Sequence, residues 1–163
     1  VGTEEGGTEA VLARALAQIR MRASNPAQAT LENLTEGLDE STLAPATRAQ
    51  LHAVLARLAL ADSNRTVAER ELTQALEIDR RNSEAYLVRA EMLADREEDA
   101  TEALQTALVG RHPSSRPLAL LSIREEQVTR PICDYAQRYR RAAPNGQYAR
   151  GVWRVQRDCR SLD

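Results

Sequence analysis

Residues 49–82 read AQLHAVLARLALADSNRTVAERELTQALEIDRRN, and residues 83–113 continue as SEAYLVRAEMLADREEDATEALQTALVGRHP. In both stretches apolar residues recur at helical spacing, in two runs divided by a short polar break. In the first, Leu51, Val54, Leu55, Leu58 and Ala59 make one stripe, and Ala68, Leu72, Ala75 and Leu76 make another. The two stretches also repeat each other. Ala56 and Ala90 stand 34 residues apart, while Ala68 and Ala100, Leu72 and Leu104, and Ala75 and Ala107 stand 32 apart. Small residues at fixed places allow close helix approach, and the leucines between them supply buried area at ~25 cal/mol per Å². Repetition at this period is the mark of a stacked array.

Working outward, the same pattern extends to both ends. A helix is expected from about Thr8 to Arg22, stopped by Ser24, Asn25 and Pro26. Asn25 is placed to cap a second helix, with Pro26 in its first turn and Ala27, Leu31, Leu34 and Leu38 on its apolar face. DESTLAP (39–45) reads as a loop, and Pro45 starts the third helix. Beyond Gly110 and Pro113, helices are expected at about 116–127, 130–142 and 147–160, the last two divided by the turn-forming Pro144, Asn145 and Gly146. No strand-like alternation stands out. The fold class is all-α: residues 1–7 a flexible segment, 8–163 one helical repeat domain, and 131–163 a terminal hairpin.

The repeats resemble the tetratricopeptide repeat (TPR) family, most closely at residues 49–82. Leu55, Ala56 and Ala59 occupy its first-helix packing positions, Ala68, Leu72 and Ala75 resemble its second-helix signature, and ALEIDRRN resembles its repeat ending. His52 stands where a large aromatic is common and Arg80 where proline is common. Tyr86, Arg89, Ala90 and Leu93 follow the first-helix pattern in the next unit; weaker units lie at 8–39 and 115–145. The segment AQRYRRAAPNGQYARGV resembles the repeat junction of periplasmic members of bacteria. The resemblance implies antiparallel helix pairs in a right-handed solenoid. It also implies a groove lined by first helices, drawing on His52, Arg57, Tyr86, Arg89, Glu91 and Arg124.

Composition sets bounds on chemistry. The chain has 163 residues, 42% hydrophobic, with 3% aromatic and no Phe. Its apolar content exceeds that of a disordered tail, and no apolar run approaches the ~20 residues of a bilayer span. Every basic residue is arginine, and the formal net charge is -2. Residues 1–110 hold 11 Arg and 19 acids, whereas 111–163 hold 11 Arg and 5 acids. This polarity favours steering of a charged partner or head-to-tail docking. Arg138, Arg141, Arg150, Arg154 and Arg157 form a candidate basic patch near Tyr135, Tyr148 and Trp153; it suits an acidic protein better than nucleic acid, because Tyr148 also fits the apolar stripe of the last helix.

Cys133 lies 12 residues before Asn145 and Cys159 lies 14 after it. In a hairpin both fall at the open end, within disulfide reach. A bond there implies an oxidising compartment, and the alternative is two buried thiols in a reducing one. No cluster of His and Cys suits a metal, no glycine-rich phosphate loop occurs, and no Ser-His-acid set can be assembled around Ser114 and Ser115. No cofactor or catalytic residue is expected. The reading is a noncatalytic scaffold or adaptor for a protein or peptide partner, periplasmic or otherwise extracytoplasmic and part of an envelope-associated assembly. A cytoplasmic regulatory module for complex assembly is the alternative.

Overall fold

A computed structural model of the chain describes residues 2–96, 98–110, 114–123 and 128–160, with side chains from Gly7 onward. All regular elements among them are helical: α1 (Gly2–Arg20), α2 (Ser24–Thr35), a 3-10 turn (Glu40–Thr42), α3 (Pro45–Ala61), α4 (Arg65–Ile78), α5 (Ser83–Asp95), α6 (Thr101–Val109), α7 (Arg116–Ile123), α8 (Arg130–Ala142) and α9 (Ala149–Cys159). None is long and apolar enough to cross a membrane.

Helix boundaries follow local chemistry. Asn64 caps α4 by accepting from the Val67 amide at 3.3 Å, and Asn82 caps α5 by accepting from the Ala85 amide at 2.9 Å. Each relieves one of the unpaired donors of a helix start. Pro45 opens α3, where its missing N–H costs nothing. The loop expected at 39–45 contains the 3-10 turn, held by Asp39 accepting from the Ser41 amide at 3.0 Å.

Some expected ends shift. The first helix reaches back to Gly2 rather than beginning at Thr8. Glycine weakens a helix by about 1 kcal/mol per residue but does not forbid it, so Gly6 and Gly7 do not end α1. Asn25 is not a cap: α2 already begins at Ser24, its cap position is Ala23, and no side chain bonds there. Thr129 occupies the cap position of α8 without a side-chain cap bond. Residues 124–127, expected to finish the seventh helix, lie outside the described residues.

Consecutive helices pack as pairs, α1 with α2, α3 with α4, α5 with α6, α7 with α8, and α8 also with α9. The odd-numbered helices also touch in series: α1 lies on α3, α3 on α5, and α7 on α9. The core is correspondingly divided into four clusters. One joins α1, α2 and α3 around Leu12, Leu31 and Leu51; the next joins α3, α4 and α5 around Ala56, Leu72 and Val88. A third joins α5, α6 and α7 around Leu87, Leu104 and Leu121, and the last joins α7, α8 and α9 around Leu118, Tyr139 and Val152. Ala56, Ala68, Ala75, Ala85 and Ala107 are each 0% exposed. The repeated alanines are therefore fully enclosed between packed helices.

Two glycines are fixed for different reasons, one by close approach and one by backbone conformation. A Cβ on Gly110 would lie 2.5 Å from Ser83 Oγ and 2.6 Å from the Arg81 carbonyl oxygen. Gly37 has φ +76°, the left-handed turn that ends α2.

Candidate functional site: a charged trough across α1, α3, α5 and α7

Helix α3 is buried along most of its length. Its run HAVLARLA buries every residue but Leu55, including Arg57, which is 4% exposed. A guanidinium among alanines and leucines must find counter-charge nearby. It does so on α5. Arg57 Nε donates to Glu84 Oε1 at 2.8 Å, and Arg57 Nη1 donates to Glu91 Oε2. Glu84 and Glu91 are seven residues apart, two helical turns, and so present both carboxylates on one face.

Two further arginines complete the network. Arg20, the last residue of α1, donates through Nη2 to Glu84 Oε2 at 3.2 Å. Arg116, at the start of α7, places Nη2 2.5 Å from Glu91 Oε1. This last contact is an ion pair without hydrogen-bond alignment, leaving Glu91 Oε1 with no hydrogen-bond partner among the described residues. Three guanidinium groups from α1, α3 and α7 thus share two carboxylates of α5. Burial alone would push Glu84 up; the charges of Arg57 and Arg20 outweigh it and hold the carboxyl below its ordinary value of 4.5. Burial likewise opposes the charge on Arg57, yet Glu84 and Glu91 raise its pKa.

The network floors an open trough. On one side of Arg20 a cleft of about 410 Å³ is lined by Ile19, Arg57, Glu91, Arg116 and Gln147 among others. On its other side a cleft of about 360 Å³ is lined by Leu12, Leu16, Gln50, Ser83, Glu84 and Leu87 among others. Gln147 belongs to the turn between α8 and α9, so the C-terminal hairpin supplies part of the wall facing α1.

Of the groove residues expected from sequence, Arg57 and Glu91 are brought together here. His52 is turned away toward α4: Nδ1 lies 2.8 Å from Glu71 Oε2 and Nε2 lies 3.4 Å from Glu40 Oε2. It lines neither cleft. Burial raises the Glu71 carboxyl, but hydrogen bonds from His52 and Arg70 outweigh this and leave it below 4.5. Tyr86 is half-buried in the cluster with Leu104 and Leu121. Arg89 is exposed and lines neither cleft. At ~100° per residue, Tyr86 and Arg89 point away from the Glu84–Glu91 face. Arg124 lies outside the described residues. Sequence reading missed Arg20, Glu84, Arg116 and Gln147. The available signal was Arg57 itself, since a charge inside an apolar helix implies an opposed acid, and Glu84 and Glu91 stood at heptad spacing on the next first helix.

The five arginines of the expected basic patch are all exposed. Arg138 is offset by Asp134 at 3.5 Å, and Arg157 by Asp158 at 3.3 Å. Arg150 lines a cleft of about 230 Å³ beside Arg140, Val152 and Trp153, the last 63% exposed. Cys133 and Cys159 form a disulfide, with Cα atoms 5.9 Å apart. No group of His, Cys, Asp or Glu among the described residues is arranged to hold a metal ion.

The depressed carboxyls predict acid sensitivity. With Glu84 and Glu71 below their unfolded values, the folded chain binds fewer protons than the unfolded chain in acid. Their contribution is complete above pH ~4.5 and is lost as pH falls through the folded values. The urea midpoint should fall as pH is lowered below ~4.5, less steeply in Glu71→Gln; a midpoint independent of pH there would contradict the ion network.

No protein-family model, curated protein or solved structure matches the chain.

Proposed function

We propose that the chain is a noncatalytic, TPR-like scaffold that holds a protein partner in the trough over α1, α3, α5 and α7. The observation that carries this reading is the trough itself: two adjoining clefts on the side of the odd-numbered helices, with charged side chains fixed by one another in its floor. Preordered polar groups can be offered to a partner without a large ordering cost at binding. The serial clusters, with fully buried alanines among them, support a right-handed array of antiparallel helix pairs. The Cys133–Cys159 bond supports an oxidising compartment, and hence an envelope-associated role outside the cytoplasm.

Site-specific photocrosslinking in native extract tests the reading. A crosslinker at Gln50, in the trough, should capture a discrete protein band. The same group at Gln74, exposed on α4, should not. Equal yields from both positions would remove the trough as the docking face.

A further inference from the structure

The C-terminal hairpin carries charge of one sign at its surface. Residues 130–160 hold eight arginines and two acids. Both acids already face an arginine, Asp134 with Arg138 at 3.5 Å and Asp158 with Arg157 at 3.3 Å. The other six, Arg130, Arg140, Arg141, Arg150, Arg154 and Arg160, are exposed and form no ion pair among the described residues. Helix dipoles do not offset them. Helices α8 and α9 run antiparallel, with Cys133 bonded to Cys159 at one end and Ala143 and Ala149 sharing a cleft at the other. A helix start therefore lies beside a helix end at both, and the two fields oppose. Arg150 stands in the first turn of α9, where its own helix disfavours a cation.

Two clefts follow the seam between these helices and share Arg140 and Gln156. The one of about 230 Å³, at the turn, is walled by Pro144, Val152 and Trp153, with Arg140 and Arg150 also lining it. The other, of about 480 Å³, runs on past Arg130 and Arg160 to the disulfide. Neither shares a lining residue with the two clefts of the trough. The disulfide and a hydrogen bond from Arg140 Nη1 to Gln156 Oε1 at 3.3 Å hold the seam preformed. Trp153, the one tryptophan of the chain, is exposed beside it. Arg150, Trp153, Arg154 and Arg157 fall on one face of α9. A terminal face need only be polar to stay in water; this one adds an uncovered indole.

We propose that the α8–α9 seam docks an acidic segment of another protein. One large apolar side chain of that segment sits against Trp153 and Pro144, and neighbouring carboxylates pair with Arg140 and Arg150. Charge complementarity selects this occupant, since exposed guanidinium groups are shaped for carboxylates. A lipid surface fits less well, because a helix lying on a bilayer buries an apolar face, whereas Trp153 stands among arginines. Single-stranded nucleic acid stacks on successive aromatics, whereas Tyr139 is buried and Tyr135 and Tyr148 pack against the core. The seam is separate from the trough, so its test does not depend on the scaffold reading.

The test is a fluorescence-anisotropy titration of the full, disulfide-bonded chain into a dye-labelled peptide of alternating Glu and Asp with one central Leu, at physiological salt. One-to-one binding is expected, with a blue shift of Trp153 emission. Trp153→Ser, or Gly in place of the peptide's Leu, should weaken binding about 10-fold. Arg140→Gln combined with Arg150→Gln should weaken it at least about 10-fold. Arg14→Gln, exposed on α1, should change it less than about 2-fold. These positions are all exposed, and circular dichroism checks that each variant folds. Absence of binding, an equal loss in Arg14→Gln, or tighter binding to phosphatidylglycerol vesicles or to an oligothymidylate would overturn the proposal.

Discussion

Arg57→Met is expected to lower the unfolding free energy by about 3–5 kcal/mol, far more than an ordinary surface change. The substitution roughly conserves volume, so little of the loss comes from a cavity. It comes from Glu84, whose side chain is 7% exposed and which would keep, among the described residues, the half-exposed Arg20 as its remaining ion-pair partner. A carboxylate left so poorly paired in the interior must either pay for desolvation or take up a proton. The double variant Arg57→Met with Glu84→Leu should cost less than the sum of the single changes, because a complete buried pair can often be replaced by apolar residues with little penalty. Urea titrations followed by circular dichroism measure all three variants. If Arg57→Met costs under about 1 kcal/mol, the pair behaves as a surface contact and the description of the trough floor is wrong.

Opening the Cys133–Cys159 bond should have an effect of similar size. The bond spans a sequence separation of 26 residues, and the chain-entropy relation gives a loss of about 3–4 kcal/mol for such a loop. The bond anchors the last described helix, α9, which packs on α7 and α8 through one apolar face. Val152 is the buried residue of that helix, packed with Ala136 and Tyr139 of α8. The Tyr139 hydroxyl adds one tie, accepting from the Tyr148 amide at 3.2 Å in the turn between them. Reductant should therefore lower the melting temperature and speed amide exchange first in α9. A double Cys→Ala variant should behave the same way and should not respond to reductant. Identical melting with and without reductant would show that the hairpin does not depend on the bond.

The helical architecture could be read from the sequence because its determinants are local. The stripe Leu51, Val54, Leu58 and the caps Asn64 and Asn82 act within a few residues of where they stand. The disulfide was legible for the same reason, since Cys133 and Cys159 flank a single turn. The trough was only half legible. Arg57 and Glu91 could be placed by repeat position, but Arg20 and Arg116 join them from α1 and α7. No periodicity within a helix reports a partner 64 residues away, the separation of Arg20 from Glu84. Tyr86 and Arg89 lie off the trough for a rotational reason: both belong to a first helix, but to the side of it that packs on α6 or meets solvent. His52 also belongs to a first helix, and two carboxylates on the other side hold it elsewhere.

The Arg20–Glu84 contact ties α1 to α5 across the intervening α3. Any bending that spreads the first and third pairs must break it. The Arg20 side chain is 37% exposed, so dissolved ions reach this tie, with a screening length of ~8 Å at physiological salt. The separation of α1 from α5 should therefore loosen as ionic strength rises, a mechanical response carried by a single pair of side chains.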